Sequence, residues 1–361
     1  MEDYLKEKLK LSHRLQGVSN HLGEQIAESL EGSLDLVLGK MVHYQAQAEQ
    51  TKSVIRKKNY LEKQKAEIEK VLNEVYNDIG NTIKATSIEV AMQTPEILNT
   101  IAKRTLNINF AVPKLDKQTV VSWFESSQVE GLYFNDWLKK LESNAVARII
   151  KESRTALILT GTKTDTVKSI QTALNVSKKS AMGLAQNQIY TMLNWAEMEK
   201  IKANSDIFNK VRLVATLDRR TSPLCIQLDN KVFDFKDAPV PPLHWNCRSM
   251  IVLVFREKAV EKIKGSRIAR LDTEGRTVQH RDGTTSTKYE KMRPQSVPET
   301  MNFNQWMSSL IISKNPADRA FAREALGSTR FKLVATGKLK MESLYYNGKI
   351  RSIKKLKELM K

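Results

Sequence analysis

Between Val211 and Phe255 the chain carries two strand-forming runs, a proline-fixed loop and both of its cysteines, and this combination restricts the local fold more than any other stretch. Val211-Arg212-Leu213-Val214-Ala215-Thr216-Leu217 is β-branched and apolar, which suits a strand. Asp218 and Ser222-Pro223 then supply turn chemistry, because Asp bonds its own backbone and Pro fixes φ. Lys231-Val232-Phe233-Asp234-Phe235 alternates after the turn-prone Asp229-Asn230, so a hairpin is expected. Pro239, Pro241 and Pro242 exclude a helix and leave His244 and Cys247 on a rigid loop. Met250 to Phe255 is apolar at consecutive positions, the pattern of a buried strand.

Cys225, His244 and Cys247 follow a Cys-x18-His-x2-Cys spacing. A His-x-x-Cys step on a tight loop can present two soft ligands to one ion, and zinc would then require a fourth. The alternatives are two buried thiols packed as small hydrophobes, or a disulfide. A cysteine hydrolase is a poorer fit, because this step on a proline loop suits ligation or packing better than a nucleophile and its base.

Three blocks of this region succeed one another in a recognisable order. They are Thr216-Leu217-Asp218-Arg219-Arg220-Thr221-Ser222-Pro223-Leu224-Cys225, then Leu228-Asp229-Asn230-Lys231-Val232-Phe233, then Pro241-Pro242-Leu243-His244-Trp245-Asn246-Cys247-Arg248-Ser249. In order and spacing they resemble the phage head morphogenesis, or minor capsid, proteins related to protein F of phage Mu. Two family cysteines are replaced, by Ser222 and Ser249, and Asn230 stands for the usual hairpin glycine, which Asn tolerates because it enters the left-handed region. Weaker likeness extends over about residues 115–361 and leaves the first hundred or so unmatched. The resemblance implies a virion protein inside the head near the portal, made in the host cytoplasm, with portal protein and packaged double-stranded DNA as partners. Major capsid or scaffolding protein is a further partner of this class. Asp218, Arg220, Thr221, Asn246 and Arg248 are then expected to hold the loop geometry, with Asp218 pairing one of the arginines.

Charge points the same way. With 59 Lys and Arg against 40 Asp and Glu, the net charge of +19 favours polyanionic partners, nucleic acid first. The end of the chain is the most basic part, and Lys338, Lys340, Lys349, Arg351, Lys354, Lys355 and Lys357 are the candidate DNA-facing residues. Neither end reads as a signal peptide, and no apolar run approaches the ~20 residues of a membrane helix. A phosphate-binding Gly-x4-Gly-Lys-Ser/Thr loop is absent.

The rest of the chain reads as helical. Ile68, Leu72, Val75 and Ile79 form one amphipathic stripe that Gly80 is expected to end, with Pro95 and Pro113 punctuating the chain beyond it. Packing inside its own domain is the expected role of the stripe, and docking to another subunit the alternative. Thr160-Gly161-Thr162-Lys163 reads as a helix end and a new start. Residues 257–299, with eleven Lys or Arg between Arg256 and Arg293, read as an exposed basic loop that includes a solvent-facing His280.

The expected fold is α+β and predominantly α-helical. A helical N-terminal arm (1–112) and helical middle (113–205) precede a small β-containing core (206–256), a basic flexible loop (257–299) and a helical basic C-terminal module (300–361). The expected function is binding without catalysis. The competing classes are a metal-dependent DNA-processing enzyme and a host-directed effector ejected with the genome.

Overall fold

The computed structural model describes residues 2–50, 52–159, 163–255, 266–269, 275–279, 285–289 and 295–360. Its fold is predominantly helical, with a few small antiparallel sheets. Helices α1 (Glu2–Gly32), α2 (Leu34–Gln50) and α3 (Val54–Leu106) come first. The 53 residues of α3 make a rod of about 80 Å at the usual rise per residue. Ser53 caps its start by accepting from the Arg56 N–H, and Asn107 at φ 54° ends it in the left-handed conformation.

Two expected breaks do not occur. Gly80 lies inside α3, where it allows a close approach: a Cβ there would sit 2.5 Å from Leu138 Cδ2. Pro95 also lies inside α3. An internal proline costs a helix about 3 kcal/mol. Burial of Ala91 on one side of it and of Leu98, Ile101 and Ala102 on the other offsets that cost.

After α4 (Lys117–Ser126), strands β1 (Gln128–Val129) and β2 (Leu132–Tyr133) form a hairpin around Glu130 and Gly131, both at positive φ. Helices α5 (Phe134–Leu159) and α6 (Lys163–Ala203) come next. The break expected at Thr160–Thr162 lies outside the described residues. In the N-terminal helices Leu22, Ile26, Ile68, Leu72 and Ile79 share one core with Val120, Phe124, Ile149, Leu184 and Met192. The amphipathic stripe therefore packs inside its own fold.

The β unit comprises β3 (Phe208–Val214), a short helix α7 (Pro223–Leu228), β4 (Val232–Asp234) and β5 (Met250–Phe255), in the antiparallel order β4-β3-β5. The two runs expected to form a hairpin do pair, Val211 opposite Phe233, but α7 intervenes between them. β5 is buried on both faces. Ile251 and Leu253 join Tyr4, Leu11, Tyr190 and Phe208, while Met250 and Val252 meet Val214.

Within 257–299 the described residues form strands as far as Pro298. β6 (Ser266–Ala269) pairs with β9 (Gln295–Pro298), and β7 (Gly275–Gln279) with β8 (Thr285–Tyr289). His280 lies outside the described residues. The C-terminal module consists of α8 (Phe303–Ile311), α9 (Pro316–Leu326), α10 (Ser328–Ala335), a 3-10 turn, a hairpin of β10 (Tyr345–Tyr346) and β11 (Lys349–Ile350), and α11 (Ile353–Glu358). Its core residues Trp306, Phe321 and Leu344 are continuous with Leu217, Ile226, Ala269 and Val297, so the module is fused to the β unit. Among the described residues no helix is long and apolar enough to cross a membrane.

Candidate metal centre and basic surface

Helix α7 sets the first sulfur. Ser222 caps it by accepting from the Cys225 N–H at 3.2 Å, with Pro223 in the first turn, which pre-sets the helical φ. The second half comes from the proline loop, where Cys247 N–H donates to His244 O at 3.1 Å and Asn246 takes φ 58°. Asn is among the few residues that adopt this conformation at little cost.

The two segments meet at the donor atoms. His244 Nε2 lies 3.2 Å from Cys225 Sγ and 2.7 Å from Ser222 Oγ, and the two sulfurs are 3.8 Å apart. All three ligand atoms fall within 4.8 Å of one another. Both cysteines are free and buried. Hydrogen bonding from Cys225 pulls the Cys247 thiol down against the opposing effect of burial, and His244 adds to the pull. The same bond and burial push Cys225 up, and the negative Cys247 sulfur raises His244 against its own desolvation. Two sulfurs and an imidazole nitrogen thus converge.

This donor set fits three positions of a tetrahedral zinc site. The family cysteine replaced by Ser222 would have stood beside the trio, where the hydroxyl touches the imidazole instead. A small hollow lined by Ser222, Cys225, His244 and Ser249 adjoins it and offers space for a water as fourth ligand. Cys247 is fully buried, which suits ligation or packing rather than attack on a substrate.

Asp218 anchors the loop from the other side. Its Oδ1 accepts from Arg220 N–H at 2.9 Å and from Arg248 Nη2 at 2.9 Å, while Arg248 Nη1 donates to Oδ2. Thr221 Oγ1 donates to Thr216 O and lies 3.3 Å from Asp218 Oδ1. Burial works to raise the Asp218 carboxyl, but the hydrogen bonds and charge of Arg248, with Arg220, outweigh it and hold the pKa below the usual range. The loop is also fixed to the helices. Asn246 N–H donates to Asn187 Oδ1 on α6 at 3.0 Å, Trp245 N–H donates to Glu130 Oε1 at 2.8 Å, and the Trp245 and Trp137 rings lie 4.5 Å apart.

Residues 147–252 match the model of the family described as Phage Mu protein F like protein. This segment is Mu F-like. It runs from within α5 to within β5 and contains Cys225, His244, Cys247 and the Asp218–Arg248 pair. The match is narrower than the 115–361 read from the sequence. The Mu F-like family suggests a phage head morphogenesis protein, a structural rather than enzymatic class. No curated protein and no solved structure matches the chain.

The seven basic residues of the tail fall outside the Mu F-like segment. Lys338, Lys340, Lys349, Lys354, Lys355 and Lys357 are exposed on an ordered module, whereas Arg351 is half-buried with its guanidinium 5.0 Å from the Tyr346 ring. Lys355 pairs with Glu358 at 3.0 Å.

Sequence reasoning missed the ion pairs that hold the segment to its neighbours. Asp229, read only as a turn former, accepts from Arg267 Nη2 at 3.0 Å, Ala215 N–H at 2.9 Å and Phe303 N–H at 2.7 Å. Arg212 pairs with Glu299, and Lys8 of α1 pairs with Glu197 of α6 and donates to Ile251 O. No local pattern marks these residues, since each partner is distant in the chain.

Proposed function

We propose that this protein is a minor phage head protein, present in few copies near the portal, which binds portal protein and packaged DNA during head assembly, packaging or genome ejection. The observation that carries this reading is a Mu F-like segment sharing one core with a strongly basic C-terminal module. In this role the protein performs no chemistry. Lys338, Lys340, Lys349, Arg351, Lys354, Lys355 and Lys357 neutralise phosphates, which gives affinity and positioning without sequence readout. Lys355 contributes least, because Glu358 already shares its charge. Zinc held by Cys225, His244 and Cys247 would act as a structural cross-link between α7 and the proline loop.

Gel retardation of duplex DNA across a salt series tests the binding role. Replacing Lys338, Lys340 and Lys349 by Ala should flatten the salt dependence by about one unit of slope per lost contact. No retardation at low salt would reject DNA binding, and cleavage with added divalent metal would favour a DNA-processing enzyme. Mass spectrometry of purified heads before and after ejection tests location, since loss on ejection would favour the effector reading. Elemental analysis should find about one zinc per chain, lost in Cys225→Ser and His244→Ala. No metal, with both variants folded, would make the cluster a packing unit.

A further inference from the structure

A cavity of about 510 Å³ lies between α1, α6 and the His244 loop. Its volume falls in the range of small-molecule sites, roughly 300–1,000 Å³. Lys179, Arg220 and Arg248 line it, and no lining residue is Asp or Glu. Asp218 balances Arg248 from behind, while Glu130 is engaged by the Trp245 N–H at the loop backbone. Lys179 and Arg220 are both exposed; Arg220 lies 3.7 Å from Asp218, but that one carboxylate is shared with Arg248, so the cluster keeps a net positive charge toward the cavity.

Two further lining groups have unused hydrogen-bonding capacity. Ser19 is 5% exposed and its Oγ has no hydrogen-bond partner, and Gln186 Nε2 is likewise buried and unpartnered. Both atoms carry almost no accessible surface, so a side-chain rotation would bring each to a ligand in the cavity and give it the hydrogen bond it lacks. Met182 and the half-buried Trp245 ring form an apolar patch on a wall that also carries Asn20, Ser222, His244 and Asn246. Gly183 keeps that wall close, since a Cβ there would sit 2.9 Å from Trp245 Nε1.

We infer that this cavity binds an organic phosphate of nucleoside monophosphate size. The phosphate is held by Lys179 and Arg220, with Ser19 and Gln186 as donors, and the flat base lies against Met182 and Trp245. Bases stack on aromatic rings with little dependence on sequence. The inference needs neither a bound zinc nor DNA binding by the tail, although His244 lines the cavity and also belongs to the candidate metal centre. One chemistry admits two sources, a free mononucleotide or a nucleotide of single-stranded DNA.

Tryptophan fluorescence and calorimetric titration of the full chain would test it, with deoxyadenosine monophosphate, deoxyadenosine, inorganic phosphate and a short single-stranded oligonucleotide as probes. The monophosphate should saturate, inorganic phosphate should compete, and deoxyadenosine should bind at least about tenfold more weakly, since the phosphate supplies the charge-assisted bonds. Lys179→Ala and Lys179→Glu change an exposed residue and should weaken the monophosphate about tenfold or more, whereas Lys338→Ala/Lys340→Ala should not affect it. An oligonucleotide binding more tightly than the monophosphate, with the same Lys179 dependence, assigns the site to DNA. A monophosphate preferred over the oligonucleotide assigns it to a free nucleotide. Absence of saturable binding, equal binding of deoxyadenosine, or indifference to both Lys179 variants would overturn the proposal.

Discussion

Asp229→Ala removes one carboxylate on which three parts of the molecule depend. Ala215 N–H at the end of β3 donates to it at 2.9 Å, Arg267 of β6 donates at 3.0 and 3.1 Å, and Phe303 N–H at the start of α8 donates at 2.7 Å. The Arg267 guanidinium is almost fully buried and, among the described residues, retains only the carbonyls of Ala215 and Met301 once the carboxylate is gone. Breaking a buried ion pair from one side costs about 3–5 kcal/mol, because an uncompensated charge is left behind. Each orphaned buried amide adds about 1 kcal/mol or more. The sum, about 5–7 kcal/mol, is a large part of the roughly 5–15 kcal/mol that holds a typical domain folded. Equilibrium urea unfolding at low temperature should show this as a lower midpoint, with the C-terminal module the first part released to protease. Asp229→Ala/Arg267→Met should recover about 3 kcal/mol, since removing both charges spares the desolvation. A single variant costing under about 1 kcal/mol, or a double variant no better than the single, would refute the reasoning.

The same structure sets three other outcomes. Asp218→Ala should lower the melting temperature markedly, because leaving the Arg248 charge uncompensated costs about 3–5 kcal/mol, and an unchanged melting temperature would remove its role as loop anchor. Gly183→Val should cost about 1–3 kcal/mol and shift tryptophan emission, because its side chain collides with Trp245; wild-type stability and emission would contradict the close approach. Lys200 is buried, and its ammonium has no hydrogen-bond partner among the described residues and stands 4.6 Å from the Phe110 ring. Desolvation lowers its pKa from 10.5 to about 7, partly opposed by Glu197. The unfolded chain therefore binds the extra proton between these values, and stability falls as pH drops from 10.5 to about 7, by about 2 kcal/mol between pH 9 and 7.5. Lys200→Met should flatten that slope in urea titrations, and an unchanged slope would assign it to other groups.

The sequence alone determined the elements whose causes are local. The β-branched run from Val211 and the apolar run from Met250 became β3 and β5, with ends shifted by a few residues at β3. Asn230 adopts the left-handed conformation expected where the family has glycine. The proline loop and the capped first turn of α7 carry Cys225, His244 and Cys247 at a spacing that already suggested a common site, and the structure brings their donor atoms together. Tertiary structure decided the rest. Gly80 and Pro95 should end helices by local propensity, yet burial along α3 outweighs a penalty that acts at single residues. Residues 257–299 look like solvated loop because Arg267 is a charge in a polar, basic stretch; its burial depends on Asp229, 38 positions away. Lys8 and Glu197 stand 189 positions apart, and neither has a local partner that would mark it as buried. Periodicity and turn chemistry report what a residue does to its neighbours in the chain. Compensation of a buried charge depends on which distant group folding brings within hydrogen-bond reach, and only the packed structure supplies that information.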